Sequence, residues 1–268
     1  MNVIPLSAVD LLMASFLVLV LALLSFRMRL GLSGQLLVAA CRTTVQLLLV
    51  GMVLRTVFAH AKPVWVALMA AVMLAAAARE VMARQHRPFK GWWGVGVGGA
   101  AMFISSFAVA IMALVVIVGA EPWYTPRYAI PLLGMLLGNT MNGISLGVNS
   151  LTQAAWEKRD QLEQRLLLGQ DRKMVLADIR QNSMRTGMIP IINAMAAAGL
   201  VSLPGMMTGQ ILAGSSVLEA VKYQILIMFL ISSGTGFGIL AALQLASRRL
   251  FDNRHRLRLD NLRGEEDP

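Results

Sequence analysis

Hydrophobic residues in this chain do not alternate with polar ones. They run in long blocks of roughly 17–25 residues, the length that a bilayer core demands of a helix. The blocks predict seven spans: Pro5–Phe26, Gln35–Phe58, Pro63–Arg79, Trp92–Ala120, Tyr128–Thr152, Thr186–Leu203 and Lys222–Ser247. The first is expected to remain as a span rather than be cleaved as a signal, because no basic residue precedes it and no small-residue cleavage site follows. The expected fold is all-α, a polytopic helical membrane protein forming a single transmembrane domain over residues 1–268. Two stretches, Tyr128–Asn149 and Pro190–Gly214, break the pattern of a simple anchor. They carry Asn, Thr, Ser or Gln and repeated Gly where an anchor would carry Leu. Polar groups in hydrocarbon are costly and normally face other helices or a water-filled path. The pattern therefore points to a chain that moves something.

Composition supports the membrane class: 57% of residues are hydrophobic and 14% charged, against about 25% charged in soluble domains. The net charge of +10 could suggest nucleic acid, but its distribution says otherwise. Basic residues follow the odd-numbered spans: Arg27 and Arg29, then Arg84, Arg87 and Lys90, then Lys158 to Arg185, then Arg248 to Arg263. The opposite connections hold little beyond Lys62, Arg127 and Lys222. Because basic loops stay in the cytoplasm, the N-terminus is expected outside and the C-terminus inside. The excess charge is then retention signal and attraction to anionic membrane lipid, and no nucleic-acid partner is expected.

Glycine pairs at four-residue spacing recur: Gly94/Gly98, Gly134/Gly138, Gly143/Gly147 and Gly234/Gly238. Such pairs let backbones approach closely, as in a tight bundle or a dimer. Chemistry-bearing motifs are scarce. There is no G-x-x-x-x-G-K-[ST] loop, H-E-x-x-H or G-x-S-x-G. The histidines, His60, His86 and His255, are far apart near or beyond span ends, which is poor material for a triad or zinc site. The lone Cys41 leaves no intrachain disulfide and reads as a small apolar helix residue. No enzymatic activity and no cofactor on this chain are expected.

The stretch Gln153–Arg185 is charged but keeps apolar residues at helical intervals: Trp156, Leu162, Leu166, Leu167, then Met174, Val175 and Ile179. Gly169 divides it, and Asp171 is placed to cap the second piece. Two short amphipathic helices joined by a bend are predicted, lying on lipid or docking a soluble partner. The adjacent Leu166, Leu167 and Leu168 favour docking, since an amphipathic stripe alone does not need three in a row.

Within the fifth span, Asn139, Asn142, Ser145 and Asn149 recur at spacings of three, three and four and form one polar stripe. The stripe either bonds across a helix seam or lines a path. Met135 and Met141 lie near it, while Met206, Met207 and Gln210 belong to the segment after Pro204. Thioethers suit copper(I) better than iron, and methionine is also ordinary apolar filler. Carboxylates inside the spans are few: Asp10, with Glu80, Glu121 and Glu219 near ends. Arg42, two turns into the second span, needs a partner; it is expected to pair with Asp10 or to line an anion path. Pro204 and Gly205 are expected to end the sixth span, with MMTGQILAG as a short re-entrant or interfacial helix.

Several blocks resemble the FetB-type permeases, the membrane subunits of a bacterial iron-export ABC transporter: PRYAIPLLGMLLGNTMNGISL (Pro126–Leu146), LLLG (Leu166–Gly169), PIINAM (Pro190–Met195), LVSLPGMMTGQILAG (Leu200–Gly214) and YQI (Tyr223–Ile225). The likeness runs from the second span to the last and departs after Gly214, where a proline expected before Tyr223 is replaced within SSVLEAVKYQ. The resemblance implies a homodimer working in the inner membrane with two copies of an ATPase subunit, on which ATP and Mg are held. It implies metal export, with plant relatives linked to aluminium tolerance and a nucleotide sugar as a proposed substrate. It also implies a coupling contact at Glu163, Leu166, Leu167, Leu168, Gly169 and Asp171. Glu163 and Gly169 keep the E-A-A-x-x-x-G spacing of many ABC permeases, while Gln164 and Arg165 replace the alanines. The substrate path is expected at Asn139, Met141, Asn142, Ser145, Asn149, Met206, Met207, Gln210 and Arg42, with the metal ligands undefined. The rival readings are a permease for an organic anion, a proton-driven carrier that needs no partner, and a membrane scaffold.

Overall fold

Helix α1 (Ala8–Arg27) opens on a capping box, in which the Ser7 hydroxyl accepts from the Asp10 backbone N–H and the Asp10 carboxylate accepts from the Ser7 N–H at 2.8 Å. This is a computed structural model, and it describes residues 6–60, 62–252, 254 and 256–263. Pro5 and His255 lie outside the described residues, as does the His60 side chain. Helices α2 (Ser33–His60) and α3 (Pro63–Ala83) follow, α3 starting on a proline whose missing N–H costs nothing in a first turn. Helix α4 (Trp92–Val118) contains two π-helical stretches, Phe103–Phe107 and Ala113–Val118. Then come α5 (Pro126–Glu157), α6 (Arg159–Leu167), α7 (Arg172–Val175), α8 (Ala177–Ala197), α9 (Gly205–Leu212) and α10 (Val217–Arg249). Helices α1 to α5 and α10 are long and apolar enough to cross a membrane. The protein is a polytopic, all-helical membrane protein.

The sixth predicted span needs correction. Its helix is α8, which starts at Ala177 and stops at Ala197 rather than running from Thr186 to Leu203. Asp178, Arg180 and Arg185 make its first half too polar to be read as a span from composition. Contacts nonetheless fix its course. On α5 and α10, Gly234 faces Leu136 and Gly238 faces Thr140, so these helices run parallel. Between them, Gly187 meets Gly143 while the Ser183 carbonyl meets Gly147, so α8 packs antiparallel to both. Pro204 is the N-cap residue of α9 rather than the terminator of the preceding helix, and the connection turns at Gly199. The short helix expected within MMTGQILAG is α9.

The core lies where α4, α5, α8 and α10 cross. Leu136, Ile144, Leu151, Ile239 and Ala242 are fully enclosed there. Glycines make that closeness possible: a Cβ on Gly187 would stand 2.7 Å from the Gly143 carbonyl oxygen. The pairs Gly143/Gly147 and Gly234/Gly238 pack inside this bundle, and Gly94/Gly98 pack on Met82 and Val81 of α3. In the fourth pair, Gly134 meets Met73 and Gly138 has an open side. By contrast α1 and α2 form a hairpin whose side chains are mostly exposed.

Beyond α10 the chain folds back beneath the end of the bundle that carries the basic clusters. Lys90 N–H donates to Asn261 O at 2.8 Å, Arg263 N–H to Pro88 O at 3.0 Å, and Phe89 pairs with Leu262. Phe251, Leu259 and Leu262 are buried by this return. The turn into it is held by Asp252, whose carboxyl lies below its ordinary value, chiefly because it accepts the Arg256 backbone N–H.

Candidate functional site

Arg42 reaches across from α2 and donates to Glu80 of α3 at 3.0 Å. Arg84, one turn beyond Glu80, donates to the same carboxylate at 3.3 Å and to Asn142 Oδ1 of α5 at 2.7 Å. Three helices are thus tied by two guanidiniums, one carboxylate and one amide. The expected Arg42–Asp10 pair does not form. Asp10 is held by Ser7 at the far end of α1, while Arg42 lies near the start of α2, so the hairpin sets them at different levels. The network is open on one side: Arg42 is 56% and Arg84 45% exposed, against 24% for Glu80. Charges in a membrane domain that are not covered by their own chain need water or another protein surface.

The stripe on α5 continues the network toward the basic end. The Ser145 carbonyl accepts from Gln85 Nε2 at 3.0 Å, and Asn149 Oδ1 accepts the His86 backbone N–H at 2.9 Å. Asn139 turns back on its own helix, donating to the Met135 carbonyl at 2.8 Å. The stripe therefore borders the end of α3.

The methionine candidates separate. Met206 and Gln210 of α9 line a cavity of about 270 Å³ at the opposite end of the bundle, together with Met135, Arg127 and Tyr223. Gln210 Oε1 is buried without a partner. Met207 faces a different, apolar hollow, and Met141 packs against the core. Nowhere among the described residues do three or more His, Cys, Asp or Glu gather as metal ligands.

The stretch after α5 folds as predicted into two short helices about a glycine bend. Gly169 has φ +83°, a conformation that a side chain would strain. Asp171 caps α7 by accepting the Lys173 N–H at 3.4 Å. Leu162 is buried and Leu166 half-buried, whereas Leu167 and Leu168 are 87% and 82% exposed. They stand beside a cleft of about 730 Å³ with Leu166, Leu167 and Leu257 for its apolar surface and Glu163, Asp171, Arg172, Arg254 and Arg256 around it. Glu163 is engaged by Arg159 at 2.9 Å. Sequence reasoning missed Arg165, which braces the bend through Gln170 Oε1 at 2.7 Å and the Val175 and Met174 carbonyls at 3.2 and 3.1 Å.

Over residues 8–251 the chain matches the family described as an uncharacterised protein family, UPF0014. It is 39% identical to a UPF0014 membrane protein of Synechocystis, covering 85% of this chain and 87% of the relative. It is 31% identical to the probable iron export permease protein FetB of Escherichia coli, covering 94% and 95%. It is 34% identical to the UPF0014 membrane protein STAR2 of rice, covering 76% and 70%. No solved structure matches.

Proposed function

The chain belongs to the UPF0014 family, and from that membership and its exposed polar and apolar surfaces we propose that it is the membrane-spanning permease subunit of an ABC transporter in the inner membrane. Its cargo on this reading is iron or another metal, moved outward. A separate subunit binds and hydrolyses ATP with Mg. The metal is taken from the relative named as an iron export permease, which aligns over 94% of this chain. The observation that carries the dependence on a partner is the pair Leu167 and Leu168, left 87% and 82% exposed on a bend that Gly169, Asp171 and Arg165 hold in shape. Large apolar side chains exposed together beside a cleft fit a docking surface better than a solvated loop.

In this reading α8 is a seventh crossing, the N-terminus lies outside and the tail is cytoplasmic. Two copies meet so that the open Arg42–Glu80–Arg84–Asn142 network borders a path between them. ATP-driven closure of the partner pulls on the bend, and packed helices with two discrete arrangements convert that pull into a tilt. The experiment is Leu167→Asp. It should abolish co-purification with the ATPase subunit and leave membrane insertion intact. Unchanged pull-down would reject the contact.

One observation favours a second reading of the cargo. The network holds two guanidiniums for one carboxylate, which suits an anion, such as an organic anion, a nucleotide sugar or an anionic metal chelate, better than a bare cation. Flux measured with iron and with nucleotide sugars separates the two.

A further inference from the structure

Between α7, α8 and the end of α10 lies a pocket of about 210 Å³, lined by Arg172, Lys173, Arg180 and Arg248. No carboxylate is among its lining residues. Like charges gathered round one hollow repel, and an anion placed between them lowers their energy. Ser247 is also among the lining residues, and its Oγ is buried in the wall without a hydrogen-bond partner. A buried hydroxyl left unpaired costs free energy, so polarity in this wall is not yet fully satisfied within the chain. The Arg180 guanidinium is fixed in the wall by Gln244 Oε1 at 3.0 Å, so one donor is already oriented.

Position selects the kind of anion. The pocket opens where the apolar run of α10 closes on Arg248 and Arg249, the level at which a spanning helix meets headgroups. On α10, Phe237, Leu240 and Gln244 follow at helical spacing, with Phe237 and Leu240 exposed. Phe237 and Leu240 form an apolar track that leads along the helix to Gln244 at the mouth of the basic pocket. A free phosphate would use the cations and leave the track bare; a phospholipid uses both.

We propose that this pocket binds the headgroup phosphate of an anionic phospholipid, with an acyl chain lying along Phe237 and Leu240. Arg172 also borders the coupling cleft, so the lipid stands beside the bend that holds Leu167 and Leu168.

The test uses the purified full chain in detergent, with lipid binding followed by native mass spectrometry. The probes are phosphatidylglycerol, phosphatidylcholine with the same acyl chains, and inorganic phosphate. Wild type is expected to prefer phosphatidylglycerol by about tenfold or more, since several basic residues act at the headgroup. The double variant K173Q/R248Q should lose most of that preference at unchanged melting temperature, while K222Q at the opposite end keeps it. Should the double variant prove unstable, R248Q alone must give a smaller loss in the same direction. The proposal is overturned by equal binding of the two lipids or by an unaltered preference in the variants. It is also overturned if inorganic phosphate binds as tightly as phosphatidylglycerol, which would make this a solute site. Loss of ATPase pull-down with the lipid preference intact would instead assign the pocket to an acidic protein surface.

Discussion

Glu80 determines what its neighbours can do. Without it, Arg42 and Arg84 would be two uncompensated guanidiniums on the open face of a membrane domain. Sequence reasoning singled out Arg42 and Asn142 and placed them correctly on their helices, but it named Glu80 only as a carboxylate near a span end and did not join it to Arg42. The reason is local: closing the third span at Arg79 left Glu80 and Arg84 outside, although their four-residue spacing is that of an ion pair along a helix. The antiparallel offset of α1 and α2, which separates Asp10 from Arg42, is invisible in a linear pattern. Removing the one carboxylate leaves two neighbouring guanidiniums to repel each other with no counter-charge. Glu80→Gln should therefore cut reconstituted transport by about tenfold or more, the scale of a lost charged contact of 1.5–3 kcal/mol, with Glu80→Asp recovering part of it. Wild-type flux in Glu80→Gln would remove the network from the path.

At the scale of elements, the most legible parts were those with their own local physics. The bend at Gly169 and the cap at Asp171 follow from backbone freedom and an acceptor at the right spacing, and both are present. The start of α8 was hidden because its charged first turns look like a loop, although they pack at the basic end where Arg180 bonds Gln244 of α10. Glycine pairs announced close packing, yet periodicity could not say what each would touch. Gly143 turned out to face Gly187, which belongs to no four-residue pair. That contact makes a sharp prediction. Gly187→Ala would place a Cβ 2.7 Å from the Gly143 carbonyl, forcing α5 and α8 apart at a cost of about 1–3 kcal/mol. Thermal unfolding in detergent should show the loss, while Gly138→Ala, which faces open space, should unfold as wild type does.

For the whole molecule, the span pattern and the distribution of charge carried most of the information, because bilayer thickness and positive loops act over tens of residues. The family likeness drawn from five sequence blocks extends through residues 8–251. The proposed orientation is testable without a partner. In a Cys41→Ser background, Ser215→Cys should react with an impermeant maleimide in intact cells, and Leu168→Cys only after permeabilisation; both positions are exposed. The reverse pattern would invert the topology and move the leucine pair away from any cytosolic ATPase. The central claim is that this chain moves its cargo with energy from a nucleotide-hydrolysing companion. Proteoliposomes holding the chain with and without its co-purified ATPase subunit test it directly, by following iron and nucleotide sugars with and without ATP. Flux that requires both subunits and hydrolysis is the predicted result, and full flux through this chain alone, with no nucleotide, would contradict it.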